Sequence, residues 1–147
     1  MLIELQPPVT QDEYDTPVEI TKLNPLQVLV VEENDEIREL LCTGLQMTLG
    51  PLGYRIDAAD NYSTAVALVG ELNPAHLVVE PNTSDTDADT NLQRLAAAFR
   101  HKQPPQVFGF TSRQLYSKGH YFDHFAEADK PIDIPLLAAQ IDQGPLY

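Results

Sequence analysis

The sequence predicts an α/β domain in which a parallel sheet is covered by helices on both faces. Short apolar, β-branched runs recur along the chain, and segments with apolar residues at spacings of three and four separate them. This alternation is typical of a doubly wound sheet, in which a crossover helix follows each strand. The length of 147 residues suits one domain with an additional segment.

The composition excludes several classes of function. Twenty-two acidic and nine basic residues give a formal net charge of −13, which repels nucleic-acid phosphates and anionic membranes. The apolar fraction of 43% can form a core, but no apolar run approaches the roughly 18 residues that span a bilayer. The single cysteine, Cys42, excludes a disulfide framework. We therefore expect a cytoplasmic protein that binds neither nucleic acid nor membrane.

Residues 1–26 differ from the rest of the chain and are predicted to form an extension. They carry four prolines, among them Pro7, Pro8 and Pro17, which prevent a continuous helix. The segment also holds apolar residues that could cover a folded body, so a mobile tail and a packed arm both stay open. The predicted domain occupies residues 27–147.

The first strand and helix are predicted from an abrupt change of pattern at Gln27. Four apolar residues follow it, as in a strand that is buried on both faces. Asn34 or Asp35 can cap the next helix, which ends at Gly50. Apolar residues at spacings of three and four form its predicted buried face: Ile37, Leu40, Leu41, Leu45 and Leu49.

The remaining elements continue this alternation. The predicted buried residues are Val66, Val69 and Leu72 in the second helix and Leu92, Leu95, Ala96 and Phe99 in the third. Further strands are predicted at 54–58, 76–79, 107–110 and 124–128. Further helices are predicted at 63–72, 91–101, 113–118 and 133–141, the last with a proline in its first turn.

Polar residues follow four of the predicted strands, where doubly wound sheets place their chemistry. Glu32 and Glu33 follow the first strand and Glu80 the third, whereas Thr111 and Lys130 follow the fourth and fifth. Three converging carboxylates repel one another and need a cation. That cation is either a divalent metal, for which oxygen ligands suit Mg²⁺, or the lysine ammonium.

Four segments together resemble the receiver domains of two-component response regulators. They are VLVVEENDEIRELL at 28–41, LVVE at 77–80, FGFTS at 108–112 and DKPID at 129–133. Each motif is weak alone, but their order and spacing match this family from residue 27 to residue 141. The resemblance implies a flavodoxin-like, CheY-like three-layer sandwich with five parallel strands in the order 2-1-3-4-5.

The resemblance also implies a phosphoryl switch, in which a kinase phosphorylates an aspartate after the third strand with the help of Mg²⁺. By position, Glu32 and Glu33 match the acidic pair that holds the metal, and the backbone carbonyl of Asn82 completes that site. Thr111 matches the hydroxyl that binds the phosphoryl group, and Lys130 matches the lysine that pairs with it.

The departures from the family pattern predict a degenerate receiver. The acceptor position is Glu80, whose extra methylene moves the carboxylate outward by about 1.5 Å, and in-line phosphoryl transfer tolerates little misplacement. Glu33 similarly stands where aspartate is usual, and Glu127 replaces the aromatic switch residue. The segment between Thr111 and Lys130 is also shorter than usual, which reduces the fourth helix.

We therefore expect a non-enzymatic pseudo-receiver that needs no cofactor and acts by phosphorylation-independent protein contact. Candidate partners are a histidine kinase, another signalling protein or a second copy in a homodimer. The alternative is a Mg²⁺-dependent receiver that accepts a phosphoryl group on Glu80 or on a nearby aspartate such as Asp85. A ligand-binding domain is a third hypothesis, but the sequence has no glycine-rich phosphate loop.

Several residues carry two interpretations. Glu80 is either a built-in mimic of the phosphorylated state or a drifted position paired with Lys130. Glu32 and Glu33 either bind Mg²⁺ weakly or form a solvated edge that favours the helix N-terminus. The acidic loop at 85–89 lacks the glycine and distal glutamate of a calcium loop, so we expect Asp89 or Thr90 to cap the third helix.

Overall fold

The structure, a computed structural model, describes residues 19–110, 121–128 and 132–144. Five parallel strands form one sheet in the order β2-β1-β3-β4-β5, which confirms the predicted fold. The strands are β1 (Asn24–Val31), β2 (Arg55–Ala59), β3 (Pro74–Val79), β4 (Gln106–Phe110) and β5 (His124–Ala128). The helices are α1 (Asp35–Leu49), α2 (Tyr62–Leu72), α3 (Ala88–Ala97) and α4 (Ile134–Gln143).

The helices cover the two faces of the sheet in pairs. Helices α1 and α4 pack on the face that carries Val28 and Val30, and α2 and α3 pack on the face that carries Leu29 and Val31. These four β1 side chains, at positions 28–31, are all buried, because a central parallel strand is covered on both sides. No helix among the described residues is long and apolar enough to span a membrane. The helix predicted at 113–118 lies outside the described residues.

Helix α1 begins as predicted, but one residue of its predicted buried face is exposed. The Asn34 side chain accepts a hydrogen bond from the Ile37 backbone N–H at 3.0 Å, which selects Asn34 over Asp35 as the cap. Leu41 and Leu45 are buried, whereas the side chain of Leu40 is 64% exposed. The prediction for Leu40 was wrong because its neighbour Leu41 takes the central position of the buried stripe and turns Leu40 about 100° away.

Helix α3 begins earlier than predicted, at Ala88. Its cap is Asp87, which accepts the Thr90 backbone N–H at 2.7 Å, so the prediction of Asp89 or Thr90 was wrong. Hydrogen bonds with the backbone and the side chain of Thr90 lower the pKa of the Asp87 carboxyl. The loop has several residues able to cap, and the sequence pattern alone does not choose among them.

Part of the predicted extension is packed against the body of the domain. β1 begins at Asn24, three residues before its predicted start. The Thr21 backbone N–H donates to His101 O at 2.8 Å, and Gln103 N donates back to Thr21 O at 2.9 Å. Leu23 is buried, and its N–H donates to the Gln103 side chain at 2.9 Å. Residues 19–26 thus form an arm across the amino-terminal edge of the sheet, while 1–18 lie outside the described residues.

Candidate functional site

The carboxyl-terminal edge of the sheet brings together the acidic residues that the sequence singled out. Strand β1 lies between β2 and β3. Glu80 N, after β3, therefore donates to Val31 O of β1 at 2.9 Å, and Glu32 N, after β1, donates to Ala59 O of β2 at 3.1 Å. Glu32 and Glu80 are both buried, with 3% and 7% of their surface exposed. Glu33, next along the loop, is exposed. Two of the predicted pocket residues, Thr111 and Lys130, lie outside the described residues.

The carboxylate of Glu80 is turned back onto its own loop. Its Oε2 accepts the backbone N–H of Asn82 at 3.0 Å. The backbone carbonyl of Glu80 accepts the hydroxyl of Tyr62, the first residue of α2, at 2.8 Å. Glu80 is therefore fixed both at its side chain and at its main chain.

Glu33 spans the pocket and binds the loop that follows Glu80. Its Oε1 accepts the Ser84 backbone N–H at 2.8 Å, and its Oε2 accepts the Ser84 hydroxyl at 3.0 Å. We call this pair of hydrogen bonds the Glu33–Ser84 clasp. It joins the loop after β1 to the loop after β3 and satisfies both oxygens of the Glu33 carboxylate.

Two further side chains hold these loops in place. The guanidinium of Arg38 donates to Glu32 O at 2.9 Å and pairs with the Asp35 carboxylate, so one cation stabilises the first turn of α1. The buried amide of Asn91 donates to Pro81 O and to the Thr83 hydroxyl, both at 2.9 Å. The loop after Glu80 is thereby anchored from α3.

The predicted metal ligands do not form a ready cation site in this arrangement. Glu33 uses both carboxylate oxygens in the clasp, and Glu32 Oε2 accepts the Asn34 N–H at 3.1 Å. Across 19–110, 121–128 and 132–144, no three acidic, histidine or cysteine side chains converge as metal ligands. A Mg²⁺ ion at Glu32, Glu33 and Asn82 would have to share the Glu33 carboxylate with the clasp, because each carboxylate oxygen has a second lone pair. These residues offer the oxygen ligands that Mg²⁺ prefers, but the described side chains do not converge as a ready-made metal site.

The other sequence candidates lie away from Glu80 or outside the described residues. Asp85 is exposed and accepts the hydroxyls of Thr83 at 3.0 Å and Thr86 at 3.2 Å. Glu127 lies on the edge strand β5, opposite Gly109 of β4, and is exposed. Neither residue is among the hydrogen-bond partners that Glu80 Oε2 and its backbone carbonyl use.

Sequence reasoning did not assign roles to four residues that shape the site: Arg38, Tyr62, Ser84 and Asn91. Each is an ordinary polar residue whose partner lies in another loop or helix. Only the folded arrangement reveals these contacts, since nothing in local spacing pairs a serine with a glutamate 51 positions away.

Two buried tyrosines have strongly shifted acidities. Burial raises the pKa of the Tyr62 hydroxyl far above its usual range, and the charges of Glu80 and Glu32 raise it further. Burial also raises the pKa of Tyr54 to about 12, and its hydrogen bond to Asp142 adds to this shift.

We predict that Tyr54 and Tyr62 ionise late in an alkaline titration of the six tyrosines. Unfolded tyrosine ionises near pH ~10, so the stability from each neutral, buried hydroxyl is complete below that pH and is lost as the pH rises through the folded pKa. Tyrosinate absorbance should rise in stages, and Tyr54→Phe and Tyr62→Phe should each remove part of the late stage. A single step near pH ~10 in the folded protein would contradict this.

Comparison with known proteins identifies the fold. The structure resembles the receiver domain of a DNA-binding response regulator from Colwellia psychrerythraea 34H, with a TM-score of 0.65, 18% identity and coverage of 80% of this chain and 96% of that one. The receiver domain of a modulated diguanylate cyclase from Desulfovibrio desulfuricans G20 gives a TM-score of 0.58 at 24% identity, and the match covers 80% of this chain and 91% of that one. Chemotaxis protein CheY4 from Vibrio cholerae gives a TM-score of 0.60 at 16% identity, and the match covers 84% of this chain and 98% of that one.

Sequence comparison adds no closer relative. No family model matches the chain, and no curated protein matches it. What the chain shares with these structures is its fold, a sheet of five parallel strands in the order 2-1-3-4-5 covered by helices. The chain therefore has the fold of the response regulator receiver domains.

Proposed function

We propose that this chain is a pseudo-receiver of two-component-type signalling, which acts by contact with another protein and without phosphorylation. The single observation that carries this proposal is the Glu33–Ser84 clasp. It places protein donors on the carboxylate that a receiver would use for its metal. The names of the solved neighbours, which include a response regulator and a chemotaxis protein, favour the signalling context.

The position of Glu80 supports the same proposal. In-line phosphoryl transfer depends on the position of the attacking oxygen, and a misplacement of about 1 Å can cost about 100-fold in rate. Glu80 carries one methylene more than aspartate, and its Oε2 is held at 3.0 Å from the Asn82 N–H. Attack would require Glu80 to leave this hydrogen bond.

The charge of the pocket also opposes a phosphoryl group. Glu32 and Glu80 are both buried at adjacent strand ends, and the charges of both act on Tyr62. A phosphoryl group brings nearly two further negative charges at neutral pH, which neighbouring carboxylates repel unless a cation, either a divalent metal or the ammonium of Lys130, intervenes. We propose that the module is not an enzyme, uses no cofactor and works in the cytoplasm, where its free thiol at Cys42 stays reduced.

Treatment with Mg²⁺ and acetyl phosphate, or with beryllium fluoride, should leave the protein unchanged. We expect no phosphoryl adduct in the intact mass and no shift of the amide NMR signals of Glu33, Glu80 and Ser84. Mg²⁺ alone should not move these signals, because the ion would have to compete with the Ser84 donors for the Glu33 carboxylate. A receiver domain with an aspartate acceptor, treated in parallel, serves as the positive control.

A phosphoryl adduct on the wild-type chain would overturn the proposal. The variant Glu80→Gln then locates the adduct: loss of the adduct assigns it to Glu80, and persistence assigns it to another carboxylate such as Asp85. Either result would establish the Mg²⁺-dependent, phosphoryl-accepting alternative. Beryllium fluoride shifts centred on Glu80 would have the same meaning.

A further inference from the structure

Helices α1 and α4 expose large apolar side chains within the part of the chain that the structure describes. Leu40 and Met47 of α1 are 64% and 73% exposed, and Leu136 of α4 is 55% exposed. Helices α2 and α3, on the other side of the sheet, expose no large apolar side chain among the residues the structure describes. We call Leu40, Met47, Glu36 and Glu39 of α1, together with the adjoining Ile134 of α4, the α1/α4 face; Leu136, two residues after Ile134, lies on another side of α4.

The two helices form a close pair, because Gly44 of α1 lies against Ile134 of α4. A Cβ atom added at Gly44 would lie 2.7 Å from Ile134 Cδ1, so no larger residue fits at this separation. Leu40 and Met47 stand one turn before and one turn after Gly44, on the same side of α1. Leu40 and Met47 therefore border a tightly packed seam between the two helices.

The α1/α4 face is negatively charged. Glu36 and Glu39 are exposed beside Leu40. The one basic residue of α1, Arg38, donates to Glu32 O and pairs with Asp35, and α4 contains no basic residue. A complementary surface must therefore combine apolar side chains with lysine or arginine.

We propose that the α1/α4 face is the docking site for a cationic amphipathic helix of a partner protein. This inference rests on the proposed function and names the chemistry of the partner. Leu40 and Met47 are seven residues, or about 10 Å, apart along α1, which matches the repeat of apolar residues on a second helix packed alongside. Lysine or arginine beside the apolar stripe of that helix then pairs with Glu36 and Glu39.

Charge complementarity distinguishes this partner from two other occupants. A second copy that docked through the same face about a two-fold axis would bring Glu36 and Glu39 toward their own counterparts, which is unfavourable. An anionic membrane surface is repelled by the same carboxylates and by the net charge of −13. A cationic helix, by contrast, is attracted both by Glu36 and Glu39 and by the net negative charge of the protein.

Three synthetic peptides with one apolar helical pattern test the proposal, with lysine, glutamine or glutamate at their polar positions. We expect the lysine peptide to bind the full chain, to bind about tenfold more tightly than the glutamine peptide, and to shift amide NMR signals of α1 and α4. The glutamate peptide should not bind. Fluorescence anisotropy measures the affinities.

Paired variants separate docking at this face from general attraction to an acidic protein. Leu40→Ser/Met47→Ser and Glu36→Lys/Glu39→Lys should each weaken binding of the lysine peptide about tenfold or more. The matched controls are Leu52→Ser, an exposed apolar residue beyond the end of α1, and Glu71→Lys, an exposed acid on α2. Each should change the affinity less than about twofold.

Several results would overturn the proposal. They are an equal loss of affinity for Glu71→Lys and Glu36→Lys/Glu39→Lys, peptide-induced shifts away from α1 and α4, and no binding of the lysine peptide. A dimer in sedimentation that Leu40→Ser dissolves, or binding to anionic phospholipid vesicles, would identify one of the other occupants. A phosphoryl adduct would instead overturn the proposed function and leave peptide binding unaffected, so the two failures are distinguishable.

Discussion

A chain that begins at Gln27 should be less stable than a chain that begins at Glu19 by about 2 kcal/mol or more in the free energy of unfolding. The shorter chain lacks the arm, residues 19–26, and with it the buried side chain of Leu23. The arm includes Asn24, Pro25 and Leu26, the three residues of β1 that precede the predicted strand.

Most of the expected loss arises from polar groups that the arm satisfies. His76 is buried, and its Nε2 forms a hydrogen bond with Pro25 O at 2.8 Å. The Asn73 carbonyl accepts Asn24 N at 2.7 Å, and the His101 carbonyl accepts Thr21 N at 2.8 Å. The His76 ring is the buried group among these, so leaving its Nε2 without Pro25 O costs about 1–3 kcal/mol where water cannot replace that carbonyl, whereas Thr21 and Asn24 lie at exposed positions.

Urea denaturation of the two chains, followed by circular dichroism, measures the difference. Both chains lack residues 1–18, so the comparison isolates the arm. Leu23→Ala in the longer chain should account for part of the loss, because it removes the buried side chain and keeps every backbone hydrogen bond. Equal stability of the two chains would show that the arm does not contribute to the fold.

The sequence predicted the order and type of the described elements because their signals are local. The apolar run at 28–31, the asparagine cap of α1 and the proline near the start of α4 each act within a few residues. The start of β1 was harder to predict from the sequence, since Asn24 and Pro25 are poor strand residues. They enter the strand because Asn24 pairs with Pro74 of β3, a contact 50 residues away.

The sequence also predicted which carboxylates meet at the sheet edge, but not how they are bound. Parallel strands with a known order bring Glu32 and Glu80 together whatever their rotamers are. The Glu33–Ser84 clasp and the contact of Tyr62 with Glu80 depend on loop conformation. Loop conformation is in turn fixed by nonlocal donors such as Asn91. The same limit explains Leu40, whose exposure depends on which neighbouring leucine occupies the core.

The replacement Gly109→Ala should destabilise the protein by about 1–3 kcal/mol, although alanine is ordinarily better than glycine within a strand by about 0.5–1 kcal/mol. Gly109 lies in β4, and the Phe125 ring of β5 lies over it. A Cβ atom at Gly109 would overlap Phe125 Cζ and lie within 3.3 Å of two further ring atoms. Since the ring also packs against the core between the sheet and helices α2 and α3, the added methyl must displace the ring or the edge strand.

Two variants make the test decisive. Gly70→Ala is the matched control, because Gly70 lies within α2 and nothing lies within 4 Å of its added Cβ. It should stabilise the protein by about 0.5–1 kcal/mol. Phe125→Leu should partly rescue Gly109→Ala, with a coupling of about 1 kcal/mol in a double-mutant cycle from chemical denaturation. If Gly109→Ala stabilised the protein as Gly70→Ala does, the close packing of β5 on β4 would be refuted. A destabilised variant that Phe125→Leu does not rescue would show that the strain lies in the backbone and not in the ring.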